Sequence, residues 1–253
     1  LRLTATLSRN RMGQVPHLGP VFMSQKFARI EKSTTERFLD KRKLFLVPNM
    51  YEPPSISDDG STLLRKYWRQ VQAQITNLES GLGQVQHIYT ETITQHGQEG
   101  LQQIESSLQQ TYPLIKEAHL NGAVVHATEN EEALLQLMDL QRLLIFPLAS
   151  STITTRLTEW HHASIRQRWD HIANLVAETL RINEVGLLII NEHHQVQFSS
   201  DIEVIYVSPP ALDAYRRWLV SHLAEQRRQA IEAAQSSESS IDENGPSQNC
   251  SSS

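Results

Sequence analysis

Apolar residues between positions 43 and 230 fall into short continuous runs and into stripes spaced three or four apart. Those two spacings mark strands and amphipathic helices in turn. Lys43–Val47 (KLFLV) reads as a short strand stopped by Pro48, and Pro53-Pro54 with Asp58-Asp59-Gly60 as a loop. Ser61 can cap a helix to about Leu78, with Leu64, Trp68, Val71, Ile75 and Leu78 on one face, and Gly81 and Gly83 end it. Val85–Ile93 alternates as a half-buried strand does. Leu101, Ile104 and Leu108 mark a helix that breaks before Pro113, and a second short helix runs to His119. Asn121-Gly122 turns the chain into a strand at Ala123–Ala127. Thr128 stands three residues before Glu131, a capping-box spacing, ahead of a helix with Leu134, Leu135, Met138 and Leu143 that Pro147 closes.

The second half repeats the alternation with longer elements. Ser151 to about Ile182 is expected to be the longest helix, its stripe running Ile153, Leu157, Trp160, Ile165, Trp169, Ile172, Val176 and Leu180. Val185–Ile190 (VGLLII) has no polar position, as a strand buried on both faces requires. Val196–Phe198 is its expected hairpin partner, Ile202–Val207 a further strand neighbouring Leu188 and Ile190, and Pro209-Pro210 the start of a helix through about Gln229. The pattern predicts an α/β (or α+β) fold: a mixed sheet covered by helices, with one long helix preceding a C-terminal strand–strand–helix unit. The expected parts are an N-terminal α/β part at 23–150 and a C-terminal helix–strand–strand–helix part at 151–230.

Composition supports a buried core without adding detail. Of 253 residues 39% are apolar, and no apolar run reaches the ~20 residues of a membrane span. The net charge of −5 argues against a protein that coats nucleic acid, leaving room for a local basic face. Charge is uneven, with ten basic residues against three acidic ones up to Lys43. Residues 1–22, Arg-rich and free of acids, are expected to be a non-native or disordered leader ahead of Met23. Residues 231–253 are expected to be a disordered polar tail, unambiguous from Ser236. The lone Cys250 excludes an internal disulfide framework, so a reducing cytoplasmic setting is the expectation.

Little in the sequence carries chemistry. There is no GxGxxG, no GxxxxGK[ST] and no GxSxG. His161-His162 and His171 lack the i,i+4 spacing that two ligands on one helix need, so no metal and no cofactor are expected. Glu192, His193 and His194 follow VGLLII directly, and the carboxyl ends of strands in open α/β sheets are where ligands bind. They are the candidate acid–base residues. Basic residues beside aromatics form the candidate nucleic-acid contacts: Arg65, Lys66 and Arg69 around Tyr67 and Trp68, and Arg216 and Arg217 beside Tyr215 and Trp218. Arg37, Lys41, Arg42 and Lys43 with Phe38 and Phe45 make a further patch.

The blocks RWDHIA, EVGLLIINEHHQVQF and DIEVIYVSPPALD resemble the C-terminal part of an uncharacterised family of bacterial and archaeal proteins. KRKLFLVPNMYEPP and the WRQV…LESGLGQV stretch resemble its N-terminal part, so the likeness spans Lys41–Trp218. It implies no activity. More broadly, a helix feeding a buried strand and then a strand–helix is similar to domains of archaeo-eukaryotic release-factor-like proteins, which hydrolyse peptidyl-tRNA through a Gly-Gly-Gln loop. This sequence has no Gly-Gly-Gln, so the hydrolytic role does not carry over. The leading expectation is a soluble binding or regulatory protein without evident catalytic motif, meeting RNA or a ribosomal component. One alternative is a small-molecule hydrolase using the Glu192 cluster, and another is an oligomeric scaffold. A contiguous basic face would favour the first, a deep pocket beside His193 the second, and an uncovered apolar helix face the third.

Overall fold

A computed structural model of the chain describes residues 40–242, with side chains through Glu232. The expected leader, Arg37 and Phe38, and residues 243–253 lie outside the described residues. Five strands are built: β1 (Arg42–Pro48), β2 (His87–Thr90), β3 (Val124–His126), β4 (Val185–Ile190) and β5 (Ile202–Tyr206). Six helices accompany them: α1 (Asp58–Leu82), α2 (Gly97–Ser107), α3 (Tyr112–Leu120), α4 (Glu131–Ile145), α5 (Ser151–Thr179) and α6 (Pro210–Asp242). The fold is α/β. Among the described residues no helix is long and apolar enough to cross a membrane.

The strands form one sheet in the order β3-β2-β4-β1-β5, and every pairing is parallel. The sheet expected as mixed is therefore wholly parallel. Successive side chains of β1 and β4 alternate between two cores, as the period of two dictates. Phe45, Val47, Leu187 and Ile189 pack under α1, α2, α3 and α6, while Leu44, Leu46, Leu188 and Ile190 pack under Ile172, Val176 and Leu180. Parallel strands buried on both faces read as unbroken apolar runs, which is why KLFLV and VGLLII stand out in the sequence.

Several local expectations are corrected. No hairpin follows β4, because β1 and β2 already occupy both its edges. Val196 instead tucks into the α5-side core, and the chain passes on to β5, which pairs with β1 rather than with β4. Ile205 and Val207 are thus one strand removed from Leu188 and Ile190. The α1 cap is Ser57, whose hydroxyl accepts from Gly60 N–H at 3.3 Å, so Asp58 and Asp59 form the first helical turn and favour its dipole. Thr128 does not cap α4. Its hydroxyl accepts from Thr90 N–H at 3.0 Å, tying the ends of β2 and β3, and Asn130 caps the helix through Ala133 N–H. The closing helix continues past Gln229 and Ser236 to Asp242, and at 33 residues α6 is longer than the 29-residue α5.

Strands of both expected parts share the one sheet, since β1 lies between β4 and β5. α5 lies on the sheet only through its second half. Its first half contains no buried residue and packs against α4 across the short connection at 146–150, with Gln136 donating to Ser164 at 3.3 Å.

Candidate functional site

β1 and β2 feed helices on one face of the sheet, whereas the chain after β4 crosses the other face. A crevice at the carboxyl ends follows from that divergence. Each strand beside it delivers a polar group on leaving the sheet: Asn49 after β1, Glu91 after β2, Thr128 and Glu129 after β3. α5 adds Arg168, one turn before Ile172 on the stripe that buries this helix.

These side chains form a buried network across the end of β4. Asn49 Nδ2 donates to Glu91 Oε1 at 2.8 Å, and Arg168 reaches the other Glu91 oxygen at 3.5 Å. Arg168 Nε donates to both Glu129 oxygens at 2.8 and 3.0 Å, and a terminal nitrogen donates to Oε1 at 2.5 Å. Burial alone would lower the Arg168 pKa. The hydrogen bond and charge of Glu129, then of Glu91, outweigh it and hold the pKa above the ordinary value. Two carboxylates share one guanidinium, so the network has no spare cation. Two buried acceptors, Asn49 Oδ1 and Thr90 Oγ1, find no partner among the described residues. A cavity of about 270 Å³ is lined by Asn49, and another of about 190 Å³ by Glu129 and Arg168.

No protein-family model, curated protein or solved structure matches this chain. Function therefore has to be argued from the chemistry of its sites.

The candidate acid–base residues follow the end of β4. Glu192 forms an ion pair with Arg216, which also holds Asp213 at 3.1 Å. His193 is 86% exposed and lies 3.8 Å from Glu192, while burial lowers the His194 pKa. The structure thus joins Glu192 to Arg216, a residue from the other candidate set. Arg65, Lys66, Arg69 and Arg217 are exposed, and Arg65 makes one local bond, to Thr62 at 3.1 Å. Their aromatic neighbours face inward. Tyr67 donates to the Pro48 carbonyl at 2.5 Å, Trp68 to that of Met50 at 3.2 Å, and Trp218 stacks on Tyr215. Arg42 is used internally, donating to the Ala177 and Leu180 carbonyls at the end of α5 and pairing with Asp201.

A second cluster escaped sequence reasoning. His87 Nδ1 and His126 Nε2 lie 2.9 Å apart, and His87 Nε2 lies 2.9 Å from Glu184. Burial, then the charges of His87 and His96, lowers the His126 pKa to about 4. Tyr89 stacks on His126 at 4.9 Å, and burial raises its pKa to about 12. The two imidazoles share a proton in line rather than converging on a point. Among the described residues no group of three or more metal-ligating side chains is placed to hold an ion.

Proposed function

We propose that this chain is a binding protein that acts as an oligomeric scaffold, pairing with a second copy through the α4–α5 hairpin. One observation carries the reading: among the described residues, seven large apolar side chains of the hairpin are exposed. Ile145 is 79%, Phe146 67% and Trp160 52% exposed, with Leu135, Met138, Leu143 and Ile153 exposed beside them on the same two helices. With about 200 Å² per large apolar side chain, these seven expose on the order of 800 Å², one partner's share of a standard interface. Typical monomers carry patches of roughly 300–600 Å² at most. Asp139–Arg142 and Arg156–Glu159 pair within the hairpin, so little net charge opposes a second copy. Two antiparallel hairpins related by a two-fold axis form a four-helix bundle, a closed arrangement that needs no other partner.

The test is mass measurement by light scattering at about 100 μM, where a micromolar dimer is saturated. The wild-type chain is expected as a dimer, and the Ile145→Glu, Phe146→Glu variant as a monomer with unchanged far-ultraviolet dichroism. A wild-type monomer at that concentration overturns the reading.

A second reading is RNA association through α1. It is supported by Arg65 and Arg69, one turn apart on an exposed face, with Lys66 between them. Affinity for single-stranded RNA should then fall steeply with salt, and Arg65→Ala, Arg69→Ala should flatten the slope. Absence of binding at low salt disposes of it.

A further inference from the structure

α4 belongs to neither core of the sheet. Its buried residues, Leu137 and Leu140, lie outside both apolar clusters, and the helix packs against α5. The stretch of α5 that receives it is clear of the sheet too, because α5 is buried only at Ile172 and Val176. Near Asn130, Ala133 and Gln167 cavities of about 190 and 150 Å³ open between the two helices, and Gln136 bonds Ser164 beside the smaller one. The firm tie is at the start of α4. Glu129, just upstream, accepts from Arg168 of α5 at 2.8 and 3.0 Å and from Thr92 N–H at 3.2 Å. At its other end the helix runs into the exposed Phe146.

The sequence of α4 is apolar on more than one side. Leu137 and Leu140 are buried, whereas Leu135, Met138, Leu143 and Ile145 are exposed. A helix of that kind needs cover on both sides. α5 covers one, and on the dimer reading above, on which this inference rests, the second copy covers the other. Lifting α4 breaks few apolar contacts and none in the two cores, so it needs far less than global unfolding. We propose that α4 is a strap: in the single chain it opens from α5 with the sheet intact, and pairing with the second copy closes it. Most of the docking face rides on α4, so strap closure and pairing are one linked equilibrium. Glu129 is its positioning residue, fixing where α4 starts from a buried place away from the partner.

Amide hydrogen exchange of the full chain, read by mass spectrometry at about 0.1 and about 100 μM, brackets a micromolar dissociation constant. In the dilute chain the amides of α4 should exchange about a hundredfold or more faster than those of β1 and β4, as local opening requires. At the higher concentration they should slow about tenfold or more, because the open form does not pair. Ile189→Val, a core change worth about twofold to tenfold in global unfolding, should speed β1 and β4 and leave α4 alone. Glu129→Ala leaves Arg168 and Glu91 as a one-to-one pair and should speed α4 about tenfold, the loss of a charge-assisted bond. Glu129→Gln, which keeps an acceptor for Arg168, should fall between and serves if the alanine variant does not fold. Exchange of α4 that matches the sheet, or that follows Ile189→Val, overturns the strap; exchange indifferent to both Glu129 variants overturns the role of that residue. Fast exchange equal at both concentrations overturns closure by a second copy. Light scattering then separates the causes: a monomer means the dimer reading itself has failed, and a dimer means that pairing does not act on α4.

Discussion

Arg168 is what allows two carboxylates to stand buried at one edge of the sheet. Without it, Glu91 and Glu129, which both hold its guanidinium, are left with no counter-charge. Removing one partner of a buried ionic network typically costs 3–5 kcal/mol, more than the network itself contributes relative to an apolar replacement. Arg168→Met is therefore expected to lose about 3–5 kcal/mol in urea unfolding at pH 7. Adding Glu91→Gln and Glu129→Gln should recover much of that deficit; a deficit they leave unchanged would show that lost packing, not charge, is responsible. His126 carries an acid sensitivity of its own. Its folded pKa of about 4 lies below the value of about 6.5 in an unfolded chain, so between these the unfolded state holds the extra proton. Its contribution is fully present above pH 6.5 and is lost as pH falls toward 4, on the order of 2 kcal/mol in all. His126→Gln should flatten the stability profile across that window, and an unchanged slope would place the acid sensitivity elsewhere.

At the scale of elements, α6 is seated by one close approach. A Cβ on Gly60 would stand 2.2 Å from the Trp218 ring, so α1 has room for α6 only because that residue has no side chain. Alanine favours a helix over glycine by about 1 kcal/mol, but overpacking costs about 1–3 kcal/mol, so Gly60→Ala should destabilise. With Trp218→Ala already present the same change should stabilise, and the reversal of sign in a double-mutant cycle is the check. Nothing in the sequence announces that contact, since Gly60 reads as part of a turn with Asp58 and Asp59. What was legible follows the local physics: KLFLV as a short strand, VGLLII as one buried on both faces, and the stripe of α1 through Ile75. What was not legible depends on partners distant in sequence. The all-parallel order turns on β1 entering between β4 and β5, and no local pattern encodes a neighbour more than 130 residues away. Asn49, Glu91 and Glu129 escaped notice because each is a single polar residue soon after a strand. The carboxyl-end rule that drew attention to Glu192 applies to them equally, and it needed the strand ends to be known first.

For the whole molecule, the decisive fact is that the sheet is interleaved. The connection between α4 and α5 divides the sequence near its middle, yet the strands on either side of that division alternate in space: β3 and β2 come from the first part, β4 from the second, β1 from the first, β5 from the second. A fragment ending at Leu148 would leave β1 with both edges unpaired and β2 with one, while a fragment starting at Ala149 would hold β4 and β5 with the strand between them missing. Neither could bury the two cores, because Leu44, Leu46, Leu188 and Ile190 of one layer come from both fragments. Exposed parallel edges of this kind invite association rather than independent folding. Cutting the chain between Leu148 and Ala149 is therefore expected to give two pieces without a cooperative thermal transition when expressed singly. Expressed together they should co-purify and melt in one step, since the break falls at an exposed hairpin tip that carries no sheet hydrogen bond. A cooperative melt from either piece alone would mean that it holds a complete core, and the interleaved sheet could not then be the folding unit.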